Sequence, residues 1–135
     1  MTEIAADRRA ELIAAAETAA QKAHVPYSNF PVGAALLTRD GQIIGGCNVE
    51  NASYPAGICA ERTAIVKAVS EGHTDFLAIA VTGQTDEPIT PCGICRQTIR
   101  EFAPDLLIIC SNKKGSTRDF TLPDLLPFSF GPEAL

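Results

Sequence analysis

Residues 76–110 read FLAIAVTGQTDEPITPCGICRQTIREFAPDLLIIC. The run at 76–82 is apolar without a break, which predicts a strand buried on both faces. The run at 106–110 is a second segment of that kind. Between them, 92–102 reads as a helix that must stop before Pro104, because the residue ahead of a proline is pushed out of the helical region. Strand, helix and strand in this order imply parallel strands with the helix packed on their sheet.

Upstream, 42–49 reads as a strand and 59–70 as a second helix, ended by Gly72, so the strand-helix-strand-helix-strand run from 42 to 110 implies parallel pairing throughout. Ile65, Val66 and Val69 give that helix one apolar face. Residues 32–38 form an apolar strand, joined to 42–49 through Asp40-Gly41, a strong two-residue hairpin signal. Residues 3–23 are rich in Ala, Glu, Lys, Arg and Gln, all good helix formers. Ile4, Leu12, Ile13, Ala16 and Ala20 recur there at a helical period, and Pro26 ends the segment. Stretches 25–31 and 50–57 read as loops. Downstream, 117–121 is a short strand. Its connection through Lys113-Lys114-Gly115 is too short for a parallel crossover, so the last pair is antiparallel. The expected fold is α/β: a three-layer α/β/α sandwich with a mixed five-stranded sheet, in one domain spanning 1–135.

The composition of the 135 residues is that of a soluble globular protein, 46% apolar and 20% charged. Apolar runs fall well short of the roughly 20 residues of a membrane span. The N-terminal segment has no apolar secretory core, so a cytoplasmic location is expected. Five cysteines in such a chain point to metal binding or buried thiols rather than disulfides. The formal net charge is −5 and the basic residues are scattered, which argues against a nucleic-acid polymer as partner. A neutral small molecule fits this surface better.

Two motifs carry chemistry: Cys59-Ala60-Glu61 and Pro91-Cys92-Gly93-Ile94-Cys95. Three thiolates can hold a zinc ion and leave its fourth tetrahedral position open, as a catalytic zinc requires. Pro91 opens the third helix, and Cys92 and Cys95 lie one turn apart on it. Cys59 opens the second helix, where the dipole and unpaired N–H groups favour a thiolate. Glu61 follows in the same turn, close enough to handle protons. A lone Cys-x-x-Cys also serves as a zinc knuckle or a redox pair. The second motif, also opening a helix, decides against those readings. Cys47 and Cys110 fall in predicted strands and read as small core residues. His24 and His73 read as surface or cap residues.

With His or Cys as first ligand, then Glu, then Pro-Cys-x-x-Cys, the pattern is a known signature of zinc deaminases. The chain resembles the cytidine deaminase family, in its small homotetrameric branch. The resemblance extends over Val25-Pro26-Tyr27-Ser28-Asn29-Phe30-Pro31-Val32-Gly33-Ala34, Gly46-Cys47-Asn48-Val49-Glu50-Asn51, Cys59-Ala60-Glu61-Arg62 and Pro91-Cys92-Gly93-Ile94-Cys95-Arg96-Gln97. Leu125-Leu126-Pro127 and Phe130-Gly131-Pro132 also match. The resemblance implies hydrolytic deamination of cytidine and 2′-deoxycytidine in pyrimidine salvage, with one zinc per chain. Zinc lowers the pKa of bound water. The hydroxide so formed attacks C4, and Glu61 shuttles protons to N3 and to the leaving ammonia.

The same resemblance assigns substrate contacts. Asn48 and Glu50, two apart at a strand end and so on one face, bind the ribose. Read alone, they are more often a solvated polar pair at a strand end, and it is the resemblance that reverses this. Phe30 packs on the nucleoside, where an unassigned loop aromatic would be a core plug. Ala60 offers its backbone to the pyrimidine. Arg62 donates to the zinc thiolates, whose three charges on Zn²⁺ leave a net −1 that would weaken the metal as a Lewis acid. Phe130 enters the site of a neighbouring chain in a homotetramer; the competing reading packs it within its own chain.

Two enzymatic rivals and one from another class stand beside this reading. A deaminase for another cytosine nucleoside, such as blasticidin S, is disfavoured by Asn48, Glu50 and Phe30. A polynucleotide deaminase is disfavoured because the chain is acidic and short and has no basic groove residues. A zinc-stapled scaffold needs neither an open coordination position nor Glu61.

Overall fold

A computed structural model describes residues 3–135; Met1 and Thr2, within the expected domain, lie outside the described residues. The elements run α1 (Ala6–Ala20), β1 (Val32–Thr38), β2 (Ile43–Cys47), α2 (Ala60–Ser70), β3 (Phe76–Gly83), α3 (Gly93–Phe102), β4 (Leu107–Asn112), β5 (Thr117–Phe120) and α4 (Leu122–Leu125). The five strands form one mixed sheet in the order β2-β1-β3-β4-β5. β3 and β4 pair in parallel, and β5 closes the edge antiparallel to β4.

Side chains alternate across the sheet, as pleated strands require. Ala35 and Leu37 of β1, Ala78 and Ala80 of β3, and Leu107 and Ile109 of β4 pack with Leu12 and Ala16 of α1. Ala34, Leu36, Ile79, Val81, Ile108 and Cys110 face the other way, onto Ala64, Ile65 and Ala68 of α2 and Ile99 of α3. This is the expected three-layer arrangement. Leu36, Ile79 and Ile108 are fully buried, and each such side chain contributes about 1.5–3 kcal/mol relative to exposure.

Two glycines let the helices approach the sheet. A Cβ on Gly33 would sit 1.9 Å from the Ala16 carbonyl oxygen of α1. One on Gly46 would sit 2.5 Å from the Ala64 nitrogen of α2.

The expected parallel pairing of 42–49 with 76–82 does not form. β2 and β3 run in the same direction but do not pair, because β1 lies between them, antiparallel to both. Burial explains this: every residue of β1 is buried, which demands neighbours on both edges, whereas β2 alternates and suits an edge. The hairpin at Asp40-Gly41 is also longer than a two-residue turn. Thr38 N donates to Gln42 O at 2.9 Å, so Arg39, Asp40 and Gly41 form the loop, closed by Gly41 at φ 94°. The N-terminal helix ends at Ala20, short of 23. No helix among the described residues is long and apolar enough to cross a membrane.

Candidate active site

Cys59 and Cys92 occupy the residues just before α2 and α3, both in extended backbone conformation. Neither side chain caps its helix, so both sulfurs are free to point at a common partner. Cys95 follows in the first turn of α3 and is fully buried. Two helix N-termini therefore converge on one cluster, and their dipoles favour negative sulfur.

The Sγ atoms of Cys59 and Cys92 are 3.8 Å apart, and those of Cys92 and Cys95 3.6 Å. All three lie within 4.8 Å of one another. Tetrahedral zinc with Zn–S bonds of about 2.3 Å places its sulfurs roughly 3.8 Å apart. The spacing is far beyond the roughly 2.05 Å of a disulfide. Thiol chemistry and spacing both fit zinc, so the cluster is suited to hold that ion.

The sulfurs share their charge unequally. Cys59 is lowered to about 5, chiefly by its hydrogen bond with Cys95, with Arg62 and Cys92 adding to the effect against burial. Cys95 is pushed up, because it is the partner in that hydrogen bond and because it is buried. Arg62 Nη2 lies 3.5 Å from Cys59 Sγ, while its Nε is buried without a partner. Glu61 is only 5% exposed. Its carboxyl is pushed up to about 7, mostly by burial, with the Cys59 charge raising it further. A carboxyl held there can both give and take a proton near neutral pH. Ala60, between Cys59 and Glu61, is fully buried at the start of α2.

Asn48 and Glu50 both reach the 27–32 segment. Asn48 Oδ1 accepts from Val32 N at 2.9 Å, and its Nδ2 donates to Phe30 O at 2.9 Å. Glu50 Oε1 accepts from Tyr27 N at 3.0 Å and Ser28 N at 3.1 Å. The Ser28 hydroxyl bond is the main reason its carboxyl lies below the usual range. Both residues thus shape the loop that carries Phe30, a task not foreseen in the sequence. Pro26 and Pro31 bracket that loop, but its partner Glu50 is 22 positions from Ser28. Phe30 is partly exposed, with its ring edge near Gly83 at the end of β3. Tyr27, Ser28, Glu50, Asn51 and Tyr54 line a cleft of about 410 Å³. A cavity of about 650 Å³ lies elsewhere, between α1 and the Lys113-Lys114 turn, and contains none of the thiols.

Phe130 is 60% exposed, and its carbonyl accepts from Gln97 Nε2 of α3 at 2.9 Å. Cys110 is buried in β4, and burial pushes its thiol up to about 12. Cys47 is half-buried in β2. His24 joins Val49 through a backbone bridge.

The family model for the cytidine and deoxycytidylate deaminase zinc-binding region matches residues 7–111. A cytidine deaminase of Sporosarcina psychrophila is 49% identical over 126 residues, covering 93% of each chain. A cytidine deaminase of Halalkalibacterium halodurans is also 49% identical, over 93% of this chain and 96% of that protein. The crystal structure of cytidine deaminase from Burkholderia pseudomallei superposes with a TM-score of 0.87 at 51% identity, over 90% of this chain and 98% of that one. The matched region holds the three thiols and both helices that present them, and on that ground the chain belongs to the cytidine and deoxycytidylate deaminase family.

Proposed function

We propose that the protein catalyses the zinc-dependent hydrolytic deamination of cytidine and 2′-deoxycytidine, giving uridine or 2′-deoxyuridine and ammonia. The observation that carries this reading is the buried Glu61 carboxyl beside three thiols at tetrahedral zinc spacing. Cys59, Cys92 and Cys95 would hold one zinc per chain. The chemistry available at these thiols with zinc bound is activation of water for attack on C4. Glu61 takes the proton released by the water, protonates N3 of the ring, and later delivers a proton to the leaving ammonia. Its carboxyl, raised toward neutrality, suits each of these transfers. Arg62 donates to Cys59 Sγ and draws charge from the thiolate, which keeps the site a stronger Lewis acid.

The substrate lies between Phe30 and the start of α2, with Ala60 offering its backbone to the pyrimidine. Asn48 and Glu50 serve the ribose from the strand end, with Glu50 kept ionised as an acceptor for a hydroxyl. The protein acts as a single domain in cytoplasmic nucleoside salvage. Incubating purified protein with cytidine and following the absorbance change tests the assignment, with zinc measured on the same sample. Blasticidin S in a parallel incubation separates the two nucleoside readings. Zinc-loaded protein that leaves cytidine intact would refute the proposal.

The active unit is a homotetramer with shared sites. Phe128 is fully exposed, Tyr54 and Ile94 are largely exposed, and Phe130 is 60% exposed, a display of apolar surface that association would cover. Phe130 would lie against the substrate of a neighbouring chain. Co-expression of Glu61→Ala with Phe130→Ala is expected to give activity above the weighted mean of the two parents. Some sites then combine an intact Glu61 with an intact Phe130 from another chain. Mixed oligomers, verified by mass, that show only the mean would place Phe130 in its own chain's site.

A further inference from the structure

Cys92 is an exposed thiol at the end of a long connection, and something must hold its backbone in place. No backbone–backbone hydrogen bond among the described residues holds 88–91. Pro88 and Pro91 have no N–H to donate. The anchor comes instead from one side chain of α3. Arg96 Nε donates to Pro91 O at 2.6 Å, and Nη2 donates to Thr90 Oγ1 at 2.9 Å. Its remaining nitrogen, Nη1, donates to Leu125 O at 2.7 Å, at the end of α4. One planar guanidinium thus ties the segment entering Cys92 both to α3 and to the C-terminal tail.

We propose that Arg96 is a positioning residue for the metal centre: it sets the Thr90-Pro91 backbone so that Cys92 Sγ meets the other two thiols. The inference rests on the zinc reading above. Three donors at fixed angles are what a guanidinium supplies and an ammonium cannot. Partners that orient a ligand from outside typically cost about 10–100-fold in metal affinity or activity when removed. Arg100 provides an internal comparison. It lies one turn along the same helix and binds the same tail, through Ser129 Oγ at 2.9 Å and through Glu133, but has no bond to the 90–92 segment.

The experiment is zinc release from the intact protein into excess EDTA, followed with a zinc dye, beside melting temperatures for each variant. Wild-type zinc content is measured first. Arg96→Gln is expected to release zinc about 10–100-fold faster than wild type. Arg96→Lys should fall between the two, since its charge is kept but its fork is lost. Arg100→Gln is expected to lower the melting temperature while releasing zinc at the wild-type rate. If Arg100→Gln sheds zinc as fast as Arg96→Gln, or if Arg96→Gln releases it at the wild-type rate, the positioning role is wrong. Should Arg96→Gln not fold, Thr90→Val removes the Nη2 contact alone. Faster release from that variant supports the role, and an unchanged rate overturns it. Zinc-free wild-type protein would overturn the metal assignment and this inference together, whereas zinc-loaded protein with insensitive release overturns only the inference.

Discussion

Glu61→Gln is expected to lose nearly all turnover while keeping its zinc and its fold. The amide has almost the same shape as the carboxyl, so the buried position at the start of α2 stays filled. It cannot accept a proton and return it. A positioned acid–base group is worth roughly 10²–10⁴-fold. Glu61 serves more than one transfer in the proposed mechanism, so the loss should lie at the upper end of that range. The fold should survive because the substitution removes an ionisable group whose charge is disfavoured by burial. Turnover, metal content and circular dichroism on one preparation decide the matter. A variant with half of wild-type activity would mean that another residue carries the proton.

Cys92→Ala is expected to lose most of its bound zinc and, with it, turnover. Two thiols would remain, and loss of a direct ligand should exceed the roughly 10–100-fold typical of outer partners. The helix itself should be little affected, since Cys92 is exposed and makes no side-chain cap. Cys47→Ala is the control, because that thiol lies in β2 and outside the cluster. Elemental analysis of purified protein reads both variants. Full zinc retention in Cys92→Ala would remove Cys92 from the ligand set.

The two effects separate the parts of the site. In Glu61→Gln the metal is expected to stay while proton transfer fails. In Cys92→Ala the metal is expected to leave while the buried carboxyl remains. The structure gives a reason for this independence. Glu61 is held by burial in α2, whereas Cys92 is held by the backbone that enters α3.

Much of this protein is legible from local sequence. The strands over 76–83 and 107–112 announce themselves through the apolar runs at 76–82 and 106–110, because burial on both faces leaves few polar positions. Cys59, Cys92 and Cys95 are legible for a related reason. A cysteine at a helix start has its direction set by a few neighbouring residues, and Cys-x-x-Cys puts both thiols on one turn. The antiparallel last pair follows from the shortness of the Lys113-Lys114-Gly115 connection alone.

What only the tertiary structure decided depends on partners distant in the chain. β1 lies between β2 and β3 because its complete burial needs two neighbours, and sequence order does not say which strands those are. Asn48 and Glu50 grip the Phe30 loop through backbone atoms 16 to 23 positions away. Arg96 reaches Leu125, 29 positions along the chain, while holding the residues beside Cys92. These side chains look like ordinary polar positions in the sequence, since a hydrogen bond to a remote carbonyl or amide leaves no periodic or spacing signal. Residue chemistry and local spacing therefore determined which atoms could bind a metal and move a proton, while long-range packing determined which backbone segments hold them in register.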